Sequence, residues 1–600
     1  MKKITLTLAA VLAGACAFAQ TVINFQDFAA KMGGETDAKI VLDKILQDNA
    51  GKEALTVTFP KGRYDFFPSK YTQDGPYEAA ITVDGFKGLT IDGGGSEFIC
   101  HGMMEIANLR NSEGVTLRNF SVDWERPLMT QFTVVKVTDE YMDVSIDADQ
   151  YPYMIEDGKI LFTGEGWAFP MNPASYSNVY TPDGEIAYNT WDSAITSAIC
   201  KARVEQLEDG NVRFYYHHSY MPEPGYIFTQ YHKRYAVNGI DVKRCKDTVF
   251  EDLTLYHSLS HGFVCILCEN VTQTRVKLIP NKEKGRVFSS VADGTHFLNC
   301  KGTMTFRGCE YAGQGDDFLN IHGRNSKIAG TSGKTITLVD KGQTELFNPG
   351  DTIACVGRVS GQRDFILTVK ESENGVVTFN ETVPSTVVSG EYVLENMTWT
   401  AGLVYENNIV TKCNRARGIL ITTPKPSIVR NNVFHSAGTA ILIEGDTDVW
   451  FESGACGDLT ITGNVFDNCL TSGNRDGDRW QWGDAIITIT PTHRPADAEA
   501  PSFHRNIKIC DNEFRVFDVP LVRGCSVDGL TFKGNRIIKT YDYKPYTYYK
   551  DSFVLEGCRN VNISGNRIDP AYKTRTVKAT LMKASDIKAR KFKVNVSEEK

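Results

Sequence analysis

One short pattern returns along this chain and limits what it can fold into: an apolar–x–apolar stretch, then Gly or Asn, then another large apolar residue. It reads Leu403-Val-Tyr-Glu-Asn-Asn-Ile-Val410, Ile428-Val-Arg-Asn-Asn-Val-Phe434, Leu459-Thr-Ile-Thr-Gly-Asn-Val-Phe466, Ile507-Lys-Ile-Cys-Asp-Asn-Glu-Phe514, Leu530-Thr-Phe-Lys-Gly-Asn-Arg-Ile537 and Val561-Asn-Ile-Ser-Gly-Asn-Arg-Ile568. Earlier copies lie at 89–95, 115–122, 253–257 and 304–309. From 403 onward successive starts are 25, 31, 48, 23 and 31 residues apart, the 48 spanning two coils. Alternation with period two gives each strand one inward face. Gly or Asn at a fixed place supplies left-handed backbone at a coil corner. Short strands, a corner Asn and a period of about 25 residues predict an all-β chain, a right-handed parallel β-helix of the pectin-lyase-like kind. Leucine-rich repeats need a Leu spacing that is absent, and propellers need a longer, four-stranded repeat.

Both ends suit a solenoid. Residues 37–48 place apolar side chains at 40, 41, 42, 45 and 46, an amphipathic helix fit to cover the open first coil. Upstream, Lys2, Lys3, an apolar run over 4–15 and Ala17-Phe18-Ala19 form a signal peptide of residues 1–19, cleaved before Gln20. Export to the periplasm or the medium is expected. Lipid attachment through Cys16 is the alternative, and Ala13 stands where that signal carries Leu. Two stretches break the repeat, 130–238 and 326–397, and each is read as a small antiparallel β module inserted between coils. The remaining units are residues 20–129, with the cap helix and first coils; 239–325, with the candidate catalytic coils; and 398–600, with the last coils and tail.

Charged residues are 23% of the 600 and the net charge is −8, with no basic face to attract nucleic acid. No apolar run of about 18 residues lies outside the N-terminus, so no membrane span is expected. The 15 cysteines are too sparse for a disulfide scaffold. Many, such as Cys100, Cys265, Cys300, Cys309, Cys413, Cys469, Cys510 and Cys558, end apolar stretches and are read as buried core thiols. Cys265-Ile-Leu-Cys268 lacks the second pair a zinc site needs.

The chemistry is carried by Asp293, in Val291-Ala292-Asp293-Gly294-Thr295, and by Asp316 and Asp317, in Gly313-Gln314-Gly315-Asp316-Asp317-Phe318. The gap of 23 residues from Asp293 to Asp316 stacks the segments on neighbouring coils, whose strands lie about 4.7–4.9 Å apart. Three carboxylates so close cannot all ionise freely, so at least one pKa is expected to rise. A glycosidase needs that split, one neutral acid and one ionised base. A lone Asp is more often a β-helix corner residue. The adjacent pair differs, because strict strand alternation would bury one charge in the core, and a bend at Gly313 and Gly315 turns both outward. Calcium binding, as in lyases of this fold, is the competing use of three carboxylates.

The signal peptide, the coil pattern and the two acidic motifs at their 23-residue gap resemble glycoside hydrolase family 110, the bacterial α-1,3-galactosidases that remove terminal galactose from the blood group B antigen. The likeness covers the whole chain, insertions included. It is more distant to the family 28 polygalacturonases: Val-Ala-Asp293 stands where those carry Asn-Thr-Asp, and their uronate-binding basic segments are missing, which favours a neutral sugar. The resemblance implies an exo-acting, inverting enzyme without metal or organic cofactor. Asp316 would protonate the glycosidic oxygen, while Asp293 and Asp317 would share the base role. Inversion asks for acid and base about 6.5–9.5 Å apart. The substrates would be galactose-terminated oligosaccharides, branched and linear Gal-α-1,3-Gal alike. The alternatives are a polygalacturonase-like glycosidase and a non-catalytic β-helix that binds carbohydrate. Candidate sugar contacts are His257, His261, Asn320, His322, Arg415, Arg417, Glu444 and Asp446, each of which alone also fits a structural role. Trp124, Trp450, Trp480 and Trp482 are candidate stacking platforms, Trp480 foremost because the loop 475–482 carries planar and charged groups together.

Overall fold

The computed structural model describes residues 21–171, 177–188, 199–216, 222–411, 417–471 and 483–598. Their parallel strands stack coil on coil into the expected right-handed β-helix. One face runs from Thr21–Asn24 through Lys246–Leu255, Glu269–Thr274, Lys301–Arg307 and Ala401–Glu406 to Ile587–Ala589. A second runs from Ala79–Asp84 through Ile240–Lys243, Phe263–Ile266, Thr295–Leu298, Leu319–Ser332, Ile419–Ile421 and Ile441–Ile443 to Lys593–Ser597. Two-to-four-residue strands, such as Lys277–Leu278, Glu310–Tyr311 and Val433–Phe434, make the third. Inward residues stack on their own kind. Tyr405, Phe434, Phe466, Phe514 and Phe532 form a buried aromatic file with ring centroids 6.2, 5.4, 4.8 and 5.4 Å apart. Each such side chain contributes about 1.5–3 kcal/mol by leaving water.

The corner pattern resolves into two adjacent positions with different work. The left-handed slot holds Asn407, Asn431, Gly463, Asp511, Gly534 and Gly565, at φ of 58°, 56°, 66°, 54°, 72° and 67°. The Asn that follows each one turns inward instead. Asn408 N–H donates to Asn432 Oδ1 at 2.8 Å, Asn432 to Asn464 at 3.0 Å, and Asn464 to Asn512, Asn512 to Asn535 and Asn535 to Asn566 at 2.9 Å each. These buried amides satisfy corner N–H groups that no strand reaches. The sequence pattern had merged the two roles into one.

The helix Ala38–Asp48 covers the first coil, capped by Asp37, whose side chain accepts from Lys39 N–H at 2.9 Å. It buries Ala38, Val41, Leu42, Ile45 and Leu46, whereas Ile40, expected in the apolar set, is 47% exposed. A second helix, Phe25–Lys31, joins it. Residues after 129 form an antiparallel sheet, with Met129–Val137 paired to Met142–Ser145 and Ile227–Tyr231, beside the three strands Tyr153–Glu156, Lys159–Gly164 and Trp167–Pro170. The second module has its own core around Ile336, Ile353, Leu367, Val377 and Leu394. The strand Leu319–Ser332 pairs in parallel within the solenoid at Leu319–His322 and then antiparallel with Glu452–Ser453 and Tyr392–Asn396. No helix of the described residues is long and apolar enough to cross a membrane. The described cysteines are free thiols, and all but Cys200 and Cys510 are buried; Cys413 lies outside the described residues.

Replacing Asn464 by Ala strands the buried Asn432 N–H and removes the bond from Asn464 Nδ2 to Asn512 Oδ1, which costs about 1–3 kcal/mol per unsatisfied group. The urea midpoint of Asn464→Ala is expected to fall accordingly; a midpoint equal to the parent's would refute the ladder as a stabilising element.

Candidate active site

Register alone assembles the centre of the site. Phe263 pairs with Thr295, Thr295 with Leu319 and Leu319 with Ile419. The residues two positions before these, His261, Asp293, Asp317 and Arg417, therefore form one column across four consecutive coils. Backbone bonds fix the column: Gly262 N–H donates to the Asp293 carbonyl at 2.9 Å and Gly294 N–H to the Asp317 carbonyl at 2.8 Å. Asp316 and Asp317 sit in a bend before the strand, so the alternation that would have driven one of them inward does not apply. Gly315 permits this, since a Cβ there would lie 2.0 Å from the Val291 carbonyl and 2.5 Å from the Tyr231 hydroxyl.

Carboxylate oxygens of Asp293, Asp316 and Asp317 converge within 4.8 Å of one another. This is tighter than the separation of about 6.5–9.5 Å that the inverting expectation carried. Asp317, 2% exposed, accepts from Arg417 Nε at 2.8 Å and Nη2 at 2.7 Å. Burial, joined by the charges of Asp316 and Asp293, nevertheless pushes the Asp317 carboxyl up to about 7 against the pull of Arg417. Asp293 accepts from His296 Nδ1 at 2.8 Å, and His261 Nε2 stands 4.0 Å away. Burial would raise the Asp293 carboxyl; the His296 hydrogen bond and the neighbouring cations outweigh it and hold the pKa below the ordinary value. One carboxyl of the cluster is therefore raised, as expected, but it is that of Asp317, which the resemblance assigned to the base, while Asp293 is held low.

Other candidates divide into those that reach this centre and those that hold its frame. His261 faces Asp293, its ring stacked on Tyr235 at 5.6 Å. Asn320 Nδ2 lies 3.3 Å from Glu452 Oε1, while its buried Oδ1 has no hydrogen-bond partner in the protein. His322 Nε2 meets His296 Nε2 at 2.8 Å and Glu452 Oε1 at 3.6 Å. Burial, aided by Glu452 and Asp446, raises the Glu444 carboxyl to about 7 against Arg417. His257 corrects its expectation as a sugar contact: fully buried, it accepts from Leu128 N–H at 3.1 Å and contacts the Ser289 carbonyl through Nδ1 at 2.6 Å, making it a strut between module and coil. Asp446 likewise is a turn residue. Its carboxylate accepts from the N–H groups of Asp448 at 2.7 Å, Val449 at 2.9 Å and Trp450. Among the tryptophans, Trp124 is fully buried and Trp450 is 67% exposed on the turn that Asp446 fixes. Arg415, Trp480 and Trp482 lie outside the described residues.

Two site residues escaped the sequence reading. His296 carried a signal, three residues after Asp293 and in register with Asn320. Glu452 carried none, because it arrives by an antiparallel bridge to Arg324 from 128 positions away. The sets His261–Asp293–His296, His296–His322–Glu452 and Asp293–Asp316–Asp317 are each compact enough to receive a cation. In the first two, hydrogen bonds between the side chains already engage the converging His296 and His322 nitrogens. Removing Arg417 from its 3%-exposed partner carboxylate breaks a buried pair, a loss of about 3–5 kcal/mol. Arg417→Ala should unfold at correspondingly lower urea; a variant as stable as the parent would deny the pair its anchoring role.

The first module matches the family model described as GLAA-B beta-barrel domain I over residues 130–228. The chain is 33% identical over 601 residues to an alpha-1,3-galactosidase B of Bacteroides thetaiotaomicron, covering 96% of this chain and 95% of that protein. It is 31% identical to an alpha-1,3-galactosidase A of Bacteroides fragilis, covering 89% and 90%. A hyperthermoactive exopolygalacturonase from Thermotoga maritima superposes with a TM-score of 0.38 at 10% identity, over 91% of each chain. With full-length relatives of this similarity, the chain belongs to the bacterial α-1,3-galactosidase family, glycoside hydrolase family 110.

Proposed function

We propose that this protein is an exported, exo-acting, inverting α-1,3-galactosidase that releases terminal galactose from blood group B glycans and from linear Gal-α-1,3-Gal. The observation that carries the hydrolytic reading is the convergence of Asp293, Asp316 and Asp317 within 4.8 Å, with the carboxyl of Asp317 raised and that of Asp293 lowered. Asp316 donates its proton to the glycosidic oxygen as the bond to galactose C1 breaks. Asp293, with Asp317, takes a proton from the water whose oxygen bonds C1 from the opposite face. Each turnover consumes one water and leaves two hydroxyls; the base returns the proton it took to solvent, and Asp316 is reprotonated from solvent. A neutral sugar is supported by Arg417, which is committed to Asp317 rather than offered to a uronate.

One observation favours a second reading of the stereochemistry. Oxygens within 4.8 Å approach the separation of about 5–5.5 Å typical of retaining enzymes, in which one carboxylate bonds C1. Proton NMR of early turnover separates the two, since β-galactose as first product means inversion and α-galactose means retention. Asp316→Asn should lose about 100- to 10,000-fold in turnover of B trisaccharide while still binding it. Unchanged turnover would remove Asp316 from the acid role, and a wild type that binds without hydrolysis would leave a carbohydrate-binding protein.

The raised carboxyl sets the pH dependence. A group elevated to about 7 is protonated below that value and ionised above it. Asp317 must be ionised to share the base role, so activity should rise as pH climbs through about 7; a rate that falls over that range would contradict the role.

A further inference from the structure

Behind Asp293 lies a chain of hydrogen bonds whose proton count can be worked out. His322 Nδ1 is 2.7 Å from the Gly323 carbonyl, which only accepts, so that nitrogen carries hydrogen. The two Nε2 atoms of His322 and His296 face each other at 2.8 Å and share one proton. His296 Nδ1 is 2.8 Å from Asp293 Oδ2. If Asp293 is ionised, Nδ1 of His296 carries hydrogen as well, and the two rings hold three protons on four nitrogens, one positive charge. If the rings are neutral, Asp293 must be the protonated partner. The surroundings decide between these states.

The groups facing the pair are mostly acidic. Glu452 Oε1, from the antiparallel strand, stands 3.6 Å from His322 Nε2, and Asp317, from the next coil, adds its negative field at His296. His261, from the preceding coil, is neutral by burial, with its pKa lowered. Arg324 lies on the His322 side and opposes charge there. Burial works against an imidazolium at both rings; at His296 the bond to Asp293 overcomes it, and at His322 burial prevails. The charge therefore localises on His296.

We propose that His296 is a positioning residue, held as an imidazolium between Asp293 and His322, whose fixed charge keeps Asp293 an ionised base beside two other carboxyls. The two basic side chains then divide the cluster: Arg417 is paired with Asp317, and His296 neutralises Asp293. The role in turnover rests on the hydrolytic reading above, in which Asp293 activates water; the charge assignment does not.

Two measurements test this. The first is nitrogen-15 NMR of the histidine rings in the wild-type protein at pH 7 without substrate, with His296→Asn used to assign the signal. Both ring nitrogens of His296 should be protonated; a neutral ring overturns the proposal. The second is the pH profile of His296→Asn, which keeps an uncharged donor near Asp293. Removing the cation raises the Asp293 pKa, so the acid limb of kcat/KM should move up by about one pH unit or more. A merely structural role would lower activity without moving that limb, and an unmoved limb refutes the positioning claim. If the wild type hydrolyses no α-galactoside, the hydrolytic reading fails, and the ring spectrum still decides the charge.

Discussion

The hydrogen-bonded register between successive coils is the constraint on which the rest depends. Strand pairing at Phe263, Thr295, Leu319 and Ile419 makes His261, Asp293, Asp317 and Arg417 a single column. A slip of one residue on any coil would turn every side chain of that strand to the other face. The corner Asn ladder and the inward aromatic file oppose such slips, the first by satisfying buried N–H groups and the second by apolar burial. The reactive groups thus sit on a scaffold whose stability is generated elsewhere along the solenoid.

Bringing carboxylates together carries an electrostatic cost, and a basic side chain stands against each of the two most buried ones. Arg417 grips Asp317 with two nitrogens, and His296 meets Asp293 from the outer side. Glu452 and Asn320 continue the network toward the second module. The strand Leu319–Ser332 belongs to both bodies, so the module is tied mechanically to the catalytic coil. Trp450 is exposed on the turn braced by Asp446, just before Glu452.

Much of this was legible from spacing. A 23-residue gap between acidic motifs places them one coil apart, and the recurring Gly/Asn–Asn pairs announce the corners. What stayed hidden has physical reasons. The left-handed slot and the ladder Asn are neighbours drawn from overlapping residue types, so they read as one signal. Asp316 and Asp317 sit in a bend whose shape depends on Gly315 packing against Val291, a contact between coils. His257 and Asp446 are polar residues near the site in sequence, yet their partners are backbone groups. Glu452 reaches His322 from the segment between the coil strands Ile441–Ile443 and Gly457–Thr462, and no periodicity can forecast an antiparallel bridge of that kind.

On the proposed function, the column of Asp293, Asp317 and Arg417, with Asp316 beside it, holds the scissile galactoside. A crystal structure of Asp316→Asn soaked with B trisaccharide tests it most directly. Terminal galactose is expected with its glycosidic oxygen at position 316 of the variant and C1 open to a water held by Asp293 and Asp317. A trisaccharide bound elsewhere on the solenoid, or bound with C1 turned away from all three carboxylates, would contradict it.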